Sequence, residues 1–282
     1  MANSQIVFAG AGDLAARAMD YLAASSQNVT FTGVARSAKK FAHGQLLQGD
    51  LTQAATLEQL RALAPKAIVV TLVPNGQGAD GYHRGYIEPL QALVSQAKAW
   101  PQPPLIIFAS STGVYHQTDG EIVDETSPTE PASYSGACLL QAEQLLADSG
   151  LPYCAVRFGG IYGPGRDFLI RQVQDGKGGG PDYTNRIHQD DAGRCLGFLV
   201  SSNLAGKPLP TCLLACDSEP APSNTVRAFI AQQLGLNQNH LTPSPSGRGG
   251  NKRCSNARLL SLGFVLQYPS FRQGYGDMAR LG

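Results

Sequence analysis

Two glycines and an alanine near the start of the sequence have the types and spacing needed to bind a nucleotide diphosphate. Gly10, Gly12 and Ala15 form the pattern G-x-G-x-x-A, directly after the apolar run 6–8 and before a plausible helix over 14–24. The first glycine permits a tight turn, the second lets a pyrophosphate approach the backbone, and the third small residue lets helix and strand pack closely. The amides and positive dipole end of the helix then face the phosphates. A simple turn is the alternative interpretation, because a lone glycine pattern is weak evidence.

The end of the next apolar segment carries the residues that would choose between NAD and NADP. Residues 29–34 are rich in β-branched side chains and lead into Ala35-Arg36-Ser37. At this position of a dinucleotide-binding fold, an acid selects the ribose 2′-hydroxyl, whereas an arginine accommodates a 2′-phosphate. No acid stands there, and Lys39 and Lys40 follow, so the sequence favours NADP over NAD. Ordinary solvated cations on a loop are the alternative.

Strand-like and helical segments alternate along the chain, and they predict where the other cofactor contacts lie. Strands are expected at 67–73, 105–109 and 153–158, with a glycine-rich loop reaching residue 85 and a helix over 86–100. Such alternation predicts an α/β fold, a Rossmann-type doubly wound parallel sheet, whose ligands sit beyond the carboxyl ends of the strands. We therefore predict the following cofactor-binding residues: Gly10, Gly12, Asp13, Leu14, Ala15, Arg36, Asp50, Leu51, Thr71 and Val73. Asp50 could also cap the following helix.

The chain is long enough for one large domain with a smaller one. We expect a mainly dinucleotide-binding domain over 1–158. The remainder, 159–282, would hold the last sheet elements and a small substrate-binding lobe.

Composition excludes several classes of partner. The chain has 43% hydrophobic and 15% charged residues and a formal net charge of +1, which does not favour a nucleic acid or an acidic membrane as partner. No apolar segment is long enough to span a bilayer, and the beginning of the sequence lacks the basic segment of a secretion signal. The six cysteines are scattered, so reduced thiols in a cytoplasmic protein are expected. The expected partner is a small-molecule substrate, and a homodimer is left open.

Several segments in register resemble a known superfamily. They are the glycine turn, SSTGVY at 110–115, the helix-opening Tyr134, RFGGIYGPGR at 157–166, RIHQDD at 186–191 and NKRCSNARLLSLGF at 251–264. The chain is similar to the extended short-chain dehydrogenases/reductases, which include nucleotide-sugar epimerases and dehydratases. This resemblance implies an NAD(P)-dependent oxidoreductase or epimerase acting on a carbonyl or secondary alcohol, such as that of a nucleotide sugar. The cofactor would be NADP, with NAD also possible.

The same resemblance implies a catalytic pair. It also shows that a third residue of the family pattern is replaced in this chain. Ser111 matches the family's hydroxyl that polarises the substrate oxygen, and Tyr134 matches its proton-exchanging tyrosine. The family has a lysine four residues after the tyrosine, where this chain has Cys138, and no lysine occurs between Lys98 and Lys177. A phenol that titrates near pH 10 is made acidic by a nearby ammonium, which a neutral thiol cannot replace.

Three interpretations of Cys138 follow. The protein binds the cofactor without fast redox chemistry, Ser111 and Tyr134 act as hydrogen-bond donors in a slower reduction, or another group enters from the substrate side. The first interpretation makes the protein a non-catalytic sensor of NADP. A partly buried aromatic residue at a helix start is the structural alternative for Tyr134, and capping or turn bonding is the alternative for Ser111 and Thr112.

The remaining candidates lie further along the chain. Thr112 and Arg166 are expected to contact substrate, since the fork of Arg166 suits a phosphate or a carboxylate, with a salt bridge across the loop as the alternative. His188 with Asp190 and Asp191 does not indicate a metal site, because two acids at a helix start are explained by capping and by the helix dipole. Lys252 and its neighbouring cations could bind a diphosphate or be solvated.

Overall fold

Short apolar strands alternate with helices along most of the chain. In this computed structural model, residues 3–25, 28–244 and 249–281 are described. The strands are β1 Ser4–Ala9, β2 Val29–Ala35, β3 Gln45–Gln48, β4 Ala67–Val70, β5 Leu105–Ser111, β6 Glu121–Val123, β7 Tyr153–Phe158, β8 Gly160–Tyr162, β9 Lys177–Gly179, β10 Tyr183–Thr184, β11 Arg186–His188, β12 Cys212–Ala215, β13 Ala221–Pro222, β14 Thr242–Pro243 and β15 Lys252–Cys254.

The helices follow the same order. They are α1 Asp13–Ser25, α2 Ala54–Ala62, α3 Gly78–Tyr82, α4 Glu88–Ala97, α5 Tyr134–Ala147, α6 Phe168–Gln174, α7 Gln189–Leu204, α8 Ser223–Gln233, α9 Ala257–Ser261 and α10 Phe271–Leu281. A π-helical turn, His83–Ile87, joins α3 to α4, and 3-10 turns occupy Thr112–Val114 and Gln238–His240. Among the described helices, none is long and apolar enough to cross a membrane.

The central sheet has the expected architecture. Within the described residues, seven strands form a parallel sheet in the order β3-β2-β1-β4-β5-β7-β12. The chain moves outward from β1 through β2 to β3 and then returns to place β4 on the other side of β1. This reversal of strand order lies between β1 and β4, which is where open α/β sheets bind their ligands. The predicted Rossmann-type α/β fold is confirmed.

Burial explains why the inner strands are almost wholly apolar. Ile6, Val7 and Phe8 of β1 are fully buried, as is every residue of β4. A strand inside a parallel sheet is covered on both faces, so it loses the polar and apolar alternation of a half-exposed strand. Burying each of their valine, isoleucine and phenylalanine side chains contributes about 1.5–3 kcal/mol, which makes these strands the stable base of the ligand-binding edge.

The chain divides into two compact units. The first comprises the chain up to Ser110 with Tyr134–Val156 and Gly193–Leu213, and the second comprises Ser111–Ser133, Arg157–Ala192 and the chain from Leu214 onward. The second unit contains small two-stranded pairings, β8 with β11, β10 with β13, β9 with β14 and β6 with β15. Its apolar core includes Val226, Ile230 and Phe271, contributed by α8 and α10. The boundary expected after residue 158 stays a prediction.

One predicted segment is wrong. The sequence predicts a strand to residue 73, a loop to 85 and a helix from 86, but β4 ends at Val70 and the helical segment begins at Gly78. The glycines mislead because each lowers helix propensity. Two of them serve packing instead: a Cβ at Gly81 would lie 2.3 Å from the carbonyl carbon of Gly76, and one at Gly85 would lie 2.4 Å from the oxygen of Val73.

Candidate functional site

A groove in the first unit opens at the carboxyl ends of β1, β2 and β4. Its volume is about 320 Å³, a size within the usual range for ligand pockets. The lining residues are Gly10, Ala11, Gly12, Val34, Ala35, Arg36, Ser37, Lys39, Gly49, Asp50, Leu51, Thr52, Thr71, Leu72, Val73, Asn75, Arg84, Gly85, Glu88 and Pro89. Seven of the ten predicted cofactor residues line it, namely Gly10, Gly12, Arg36, Asp50, Leu51, Thr71 and Val73.

The glycine turn is held tightly between two strand tips. The amides of Gly10 and Ala11 both donate to the carbonyl of Val34, at 3.2 and 3.1 Å, and the hydroxyl of Thr71 donates to the carbonyl of Gly10 at 2.6 Å. Gly10 has a φ of 89°, and a Cβ there would lie 2.6 Å from the oxygen of Thr71. Only glycine fits this position, because both the backbone conformation and the space exclude a side chain.

Gly12 differs from Gly10 in what surrounds it. A Cβ at Gly12 would meet only the oxygen of Gly10, at 3.9 Å, so the space above this residue is open. Protein packing therefore does not require glycine here, whereas the close approach of a ligand to the backbone would. The open space lies in front of the first turn of α1, whose amides have no partner within the helix, and this arrangement fits a dinucleotide pyrophosphate.

The remaining predicted residues of the turn form the helix start rather than the groove wall. Asp13 opens α1 and pairs with Arg17 at 3.0 Å, one turn along. Leu14 follows, and Ala15 is fully buried, as close packing of the helix on the sheet requires. These three residues do not line the groove, and their cofactor roles stay predictions that rest on backbone amides.

Positive charge collects at the tip of β2. Arg36 and Lys39 are both exposed and both line the groove. The ammonium of Lys39 donates to the carbonyl of Ala11 at 3.0 Å, which holds this cation beside the glycine turn. No acid occurs in the segment Ala35-Arg36-Ser37 that ends the strand.

The segment after β3 supplies a turn and an apolar wall. The Oδ1 atom of Asp50 accepts hydrogen bonds from the amide and hydroxyl of Thr52, at 2.9 and 2.8 Å. The N-cap of α2 is Gln53, which makes no side-chain cap, so Asp50 stabilises the turn that precedes this helix rather than its first turn. Leu51 is buried beneath the groove.

Three of the groove residues that sequence reasoning missed come from one helical region. Arg84, Gly85 and Glu88 come from the π-helical turn and the start of α4, where the sequence predicts a loop to residue 85 and a helix from residue 86. Pro89 was a usable signal, because it lacks the amide that would bond the carbonyl of Gly85 in a regular helix.

The predicted catalytic tyrosine opens α5, in the first unit. Tyr134 is 45% exposed, and its ring meets that of Tyr82 edge to face, with centroids 5.4 Å apart. One turn along the helix, Cys138 is buried, and this burial raises the pKa of its thiol. Burial also raises the pKa of Tyr86 to about 12, with smaller contributions from Tyr82 and Cys138. Cys138 and Tyr86 are therefore neutral at pH 7, and neither of them supplies a cation.

The other predicted catalytic and substrate residues belong to the second unit. Ser111 ends β5 and caps a 3-10 turn, with its hydroxyl oxygen accepting the amide of Gly113 at 3.0 Å. This bond leaves its hydroxyl hydrogen available to donate. Thr112 is buried at the start of the same turn. Arg166 is exposed, and its amide donates to Gly163 at 2.8 Å to close the loop. The functional roles of all three stay predictions.

Two cationic side chains of the second unit are buried and hydrogen-bonded to other protein groups. Arg157 is buried and donates to the hydroxyl of Tyr115 at 2.5 Å. Lys252 is also buried, and its ammonium donates to the carbonyls of Tyr115, at 3.1 Å, and of Gly249. Lys252 is thus not a solvated cation, and its donors are used by the protein.

The fold and the groove together define a Rossmann-type protein whose first unit can bind a nicotinamide dinucleotide. A family profile described as NAD(P)H-binding matches residues 10–194. Protein YeeZ of Escherichia coli K12 is 32% identical over 210 residues, which cover 72% of each chain. A 3-diazoavenalumate denitrifying reductase of a Streptomyces species is 29% identical over 161 residues, covering 48% of this chain and 50% of that protein.

Solved structures agree with these matches. A Methylobacillus flagellatus protein, proposed to be an NAD-dependent epimerase/dehydratase, superposes with a TM-score of 0.80 at 32% identity, over 99% of this chain and 98% of that one. A dTDP-glucose 4,6-dehydratase of Bacillus anthracis in complex with NAD gives a TM-score of 0.79 over 99% and 96% of the two chains, but at 15% identity it supports the fold alone. The chain belongs to the NAD(P)H-binding family, among the epimerase/dehydratase-like extended short-chain dehydrogenases.

Proposed function

We propose that the protein is an NADP(H)-preferring reductase that converts a carbonyl group of a small molecule to a secondary alcohol. The observation that carries this proposal is the buried, neutral thiol of Cys138, one turn after Tyr134 in α5. A phenol with no ammonium to acidify it keeps its proton at neutral pH. Such a group is suited to give a proton to a carbonyl oxygen and poorly suited to take one from an alcohol.

The chemistry balances with Tyr134 and the cofactor. When bound, the reduced nicotinamide supplies the hydride that adds to the carbonyl carbon. Tyr134 gives its phenolic proton to the carbonyl oxygen as the C–O double bond becomes a single bond, and water then reprotonates the phenolate. The products are the alcohol and the oxidised cofactor.

The preference for NADP is supported by the groove. Arg36 and Lys39 place two exposed cations at the tip of β2, where the ribose 2′-substituent of a dinucleotide lies. The absence of an acid at Ala35-Arg36-Ser37 removes the group that would select a 2′-hydroxyl. Because guanidinium binds phosphate through paired hydrogen bonds, Arg36 is the residue expected to discriminate most strongly.

A binding titration tests the cofactor assignment. Nicotinamide fluorescence is followed while NADPH or NADH is added to the wild type and to Arg36→Ala. We expect the wild type to prefer NADPH by about tenfold or more and the variant to lose most of this preference, since one charge-assisted bond to phosphate contributes about 1.5–3 kcal/mol. Equal affinities in the wild type would contradict NADP preference, and no binding of either nucleotide would remove the whole proposal.

Turnover tests the direction of the reaction. Carbonyl compounds are screened for loss of NADPH absorbance, and Tyr134→Phe should lower kcat by about 10²–10⁴-fold, as expected for loss of a general acid. Cys138→Lys should speed alcohol oxidation at neutral pH by about tenfold or more, because its ammonium would favour the phenolate. Cys138→Ser is the matched control and should leave that rate unchanged. Efficient wild-type oxidation at pH 7, equal to that of Cys138→Lys, would contradict the proposal.

Cys138 also favours a second candidate, a non-catalytic NADP sensor. This function predicts tight NADPH binding with no turnover of any carbonyl compound and no effect of Tyr134→Phe on the affinity. The two candidates therefore separate in the same pair of experiments.

A further inference from the structure

We propose that Arg84 is a third cationic residue of the cofactor site and that it binds the dinucleotide pyrophosphate from the β4 side of the groove. This inference rests on the proposed nucleotide binding and deepens it by naming a residue and the group that it contacts. Arg84 belongs to the π-helical turn His83–Ile87 and lines the same groove as Gly10 and Gly12.

The position of Arg84 is fixed by close packing of its helical segment. The amide of Asn75 donates to the carbonyl of Gly81 at 2.8 Å, and Gly85 approaches the oxygen of Val73 more closely than any side chain would allow. The segment 71–76, which precedes α3, begins at Thr71. The hydroxyl of Thr71 donates a hydrogen bond to the carbonyl of Gly10 in the glycine turn. A short series of contacts therefore connects the glycine turn to the π-helical turn that carries Arg84.

The guanidinium of Arg84 retains most of its hydrogen-bonding capacity. Its Nε donates to the carbonyl of Asn75 at 3.4 Å, a long bond, and its other N–H groups have no protein partner in the part of the chain that the structure describes. The neighbouring acid, Glu88, pairs instead with Nδ1 of His83 at 3.3 Å. Arg84 is exposed and lines the groove, so its remaining donors are accessible to a ligand there.

Strand order distinguishes the role of Arg84 from that of Arg36. β2 and β4 lie on opposite sides of β1, so the two arginines approach the glycine turn from opposite sides. Arg36 lies at the tip that meets the adenosine ribose, whereas the glycine turn meets the pyrophosphate. A cation on the β4 side is therefore expected to contact a phosphate that NAD and NADP share. π-Helical turns often occur at functional sites, which agrees with this placement.

The test compares the dissociation constants of NADPH, NADH and ADP-ribose in wild type and in Arg84→Gln. We expect each constant to rise by about tenfold, as for loss of a charge-assisted hydrogen bond, while the NADPH-to-NADH ratio stays unchanged. Arg84→Lys should recover part of the loss because it keeps the charge. Arg61→Gln, at an exposed arginine outside the groove, should change each constant by less than about twofold. Thermal unfolding of each variant checks that the fold is intact.

The outcomes separate the two proposals. Unchanged constants in Arg84→Gln, or a loss confined to NADPH, would overturn the pyrophosphate role while leaving nucleotide binding in place. A wild type that binds NADPH and NADH equally, with both weakened by Arg84→Gln, would overturn NADP preference alone. Failure of the wild type to bind any of the three compounds would overturn both.

Discussion

The groove cations of the first unit and two buried cations of the second unit differ in what surrounds their donors. In the groove of the first unit, Arg36, Lys39 and Arg84 are exposed. In the second unit, Arg157 and Lys252 are buried and donate to the hydroxyl and the carbonyl of Tyr115. A buried ammonium must replace its lost hydration with protein oxygens, whereas an exposed one keeps exchangeable water that a ligand can displace. The difference teaches that burial and hydrogen bonding, more than residue type, decide which cations keep donors that a ligand could use.

Among the tests of this comparison, Lys252→Ala has the largest expected effect on stability. The substitution leaves the carbonyls of Tyr115 and Gly249 without their donor and opens a cavity, so we expect the free energy of unfolding to fall by about 3 kcal/mol. Chemical denaturation measures this change. The exposed Arg258→Ala is the control and should cost less than about 0.5 kcal/mol. A similarly small change in the free energy of unfolding for Lys252→Ala would show that the hydrogen bonds of buried Lys252 do not stabilise the fold.

A carboxylate of the second unit gives a pH-dependent test. Asp217 is 1% exposed, its Oδ1 accepts the amide of Glu219 at 3.2 Å, and its Oδ2 has no partner in the described structure. Burial raises its pKa to about 7, although the bond from Glu219 and the charge of Arg186 oppose the shift, while the carboxylates of Glu219 and Asp191 add to it. The folded state therefore holds a proton that the unfolded state loses near pH 4.

Because its pKa is raised in the folded state, Asp217 makes the protein less stable as the pH rises. The contribution of protonated Asp217 is fully present below about pH 4 and is lost as the pH rises to about 7. Asp217→Asn removes the titration, so its advantage over wild type should grow by about 2–4 kcal/mol between pH 4 and pH 8. Urea unfolding at several pH values measures the difference. Parallel wild-type and variant curves would show that Asp217 does not titrate in this range.

The smallest expected change in stability is at the groove. Lys39→Ala should alter the free energy of unfolding by less than about 0.5 kcal/mol, yet weaken NADPH binding by about tenfold, because its ammonium lies beside the glycine turn. Lys40 is also exposed but does not line the groove, so Lys40→Ala is the matched control. Fluorescence titration and thermal unfolding measure the two effects. Equal affinities in these two variants would remove Lys39 from the binding groups.

The sequence by itself determined the fold class and the cofactor-binding edge. Buried parallel strands are rich in apolar residues, so β1, β4 and β7 are visible as local apolar runs, and the strand 153–158 was predicted with its observed bounds. The glycine turn is equally local, since its spacing follows from the geometry of one strand, one turn and one helix. These features are encoded by neighbouring residues, and the family matches agree with them.

Only the tertiary structure decided which charged and polar side chains face the groove and which are enclosed. Arg84 reaches the groove because Gly81 and Gly85 pack against residues 73–76. This packing contact does not appear in any local pattern of the sequence. Lys252 is read as a surface cation until its position against Tyr115, 137 residues away, is known. Burial and hydrogen bonding depend on such distant contacts, whereas strand and turn formation depend mainly on adjacent residues.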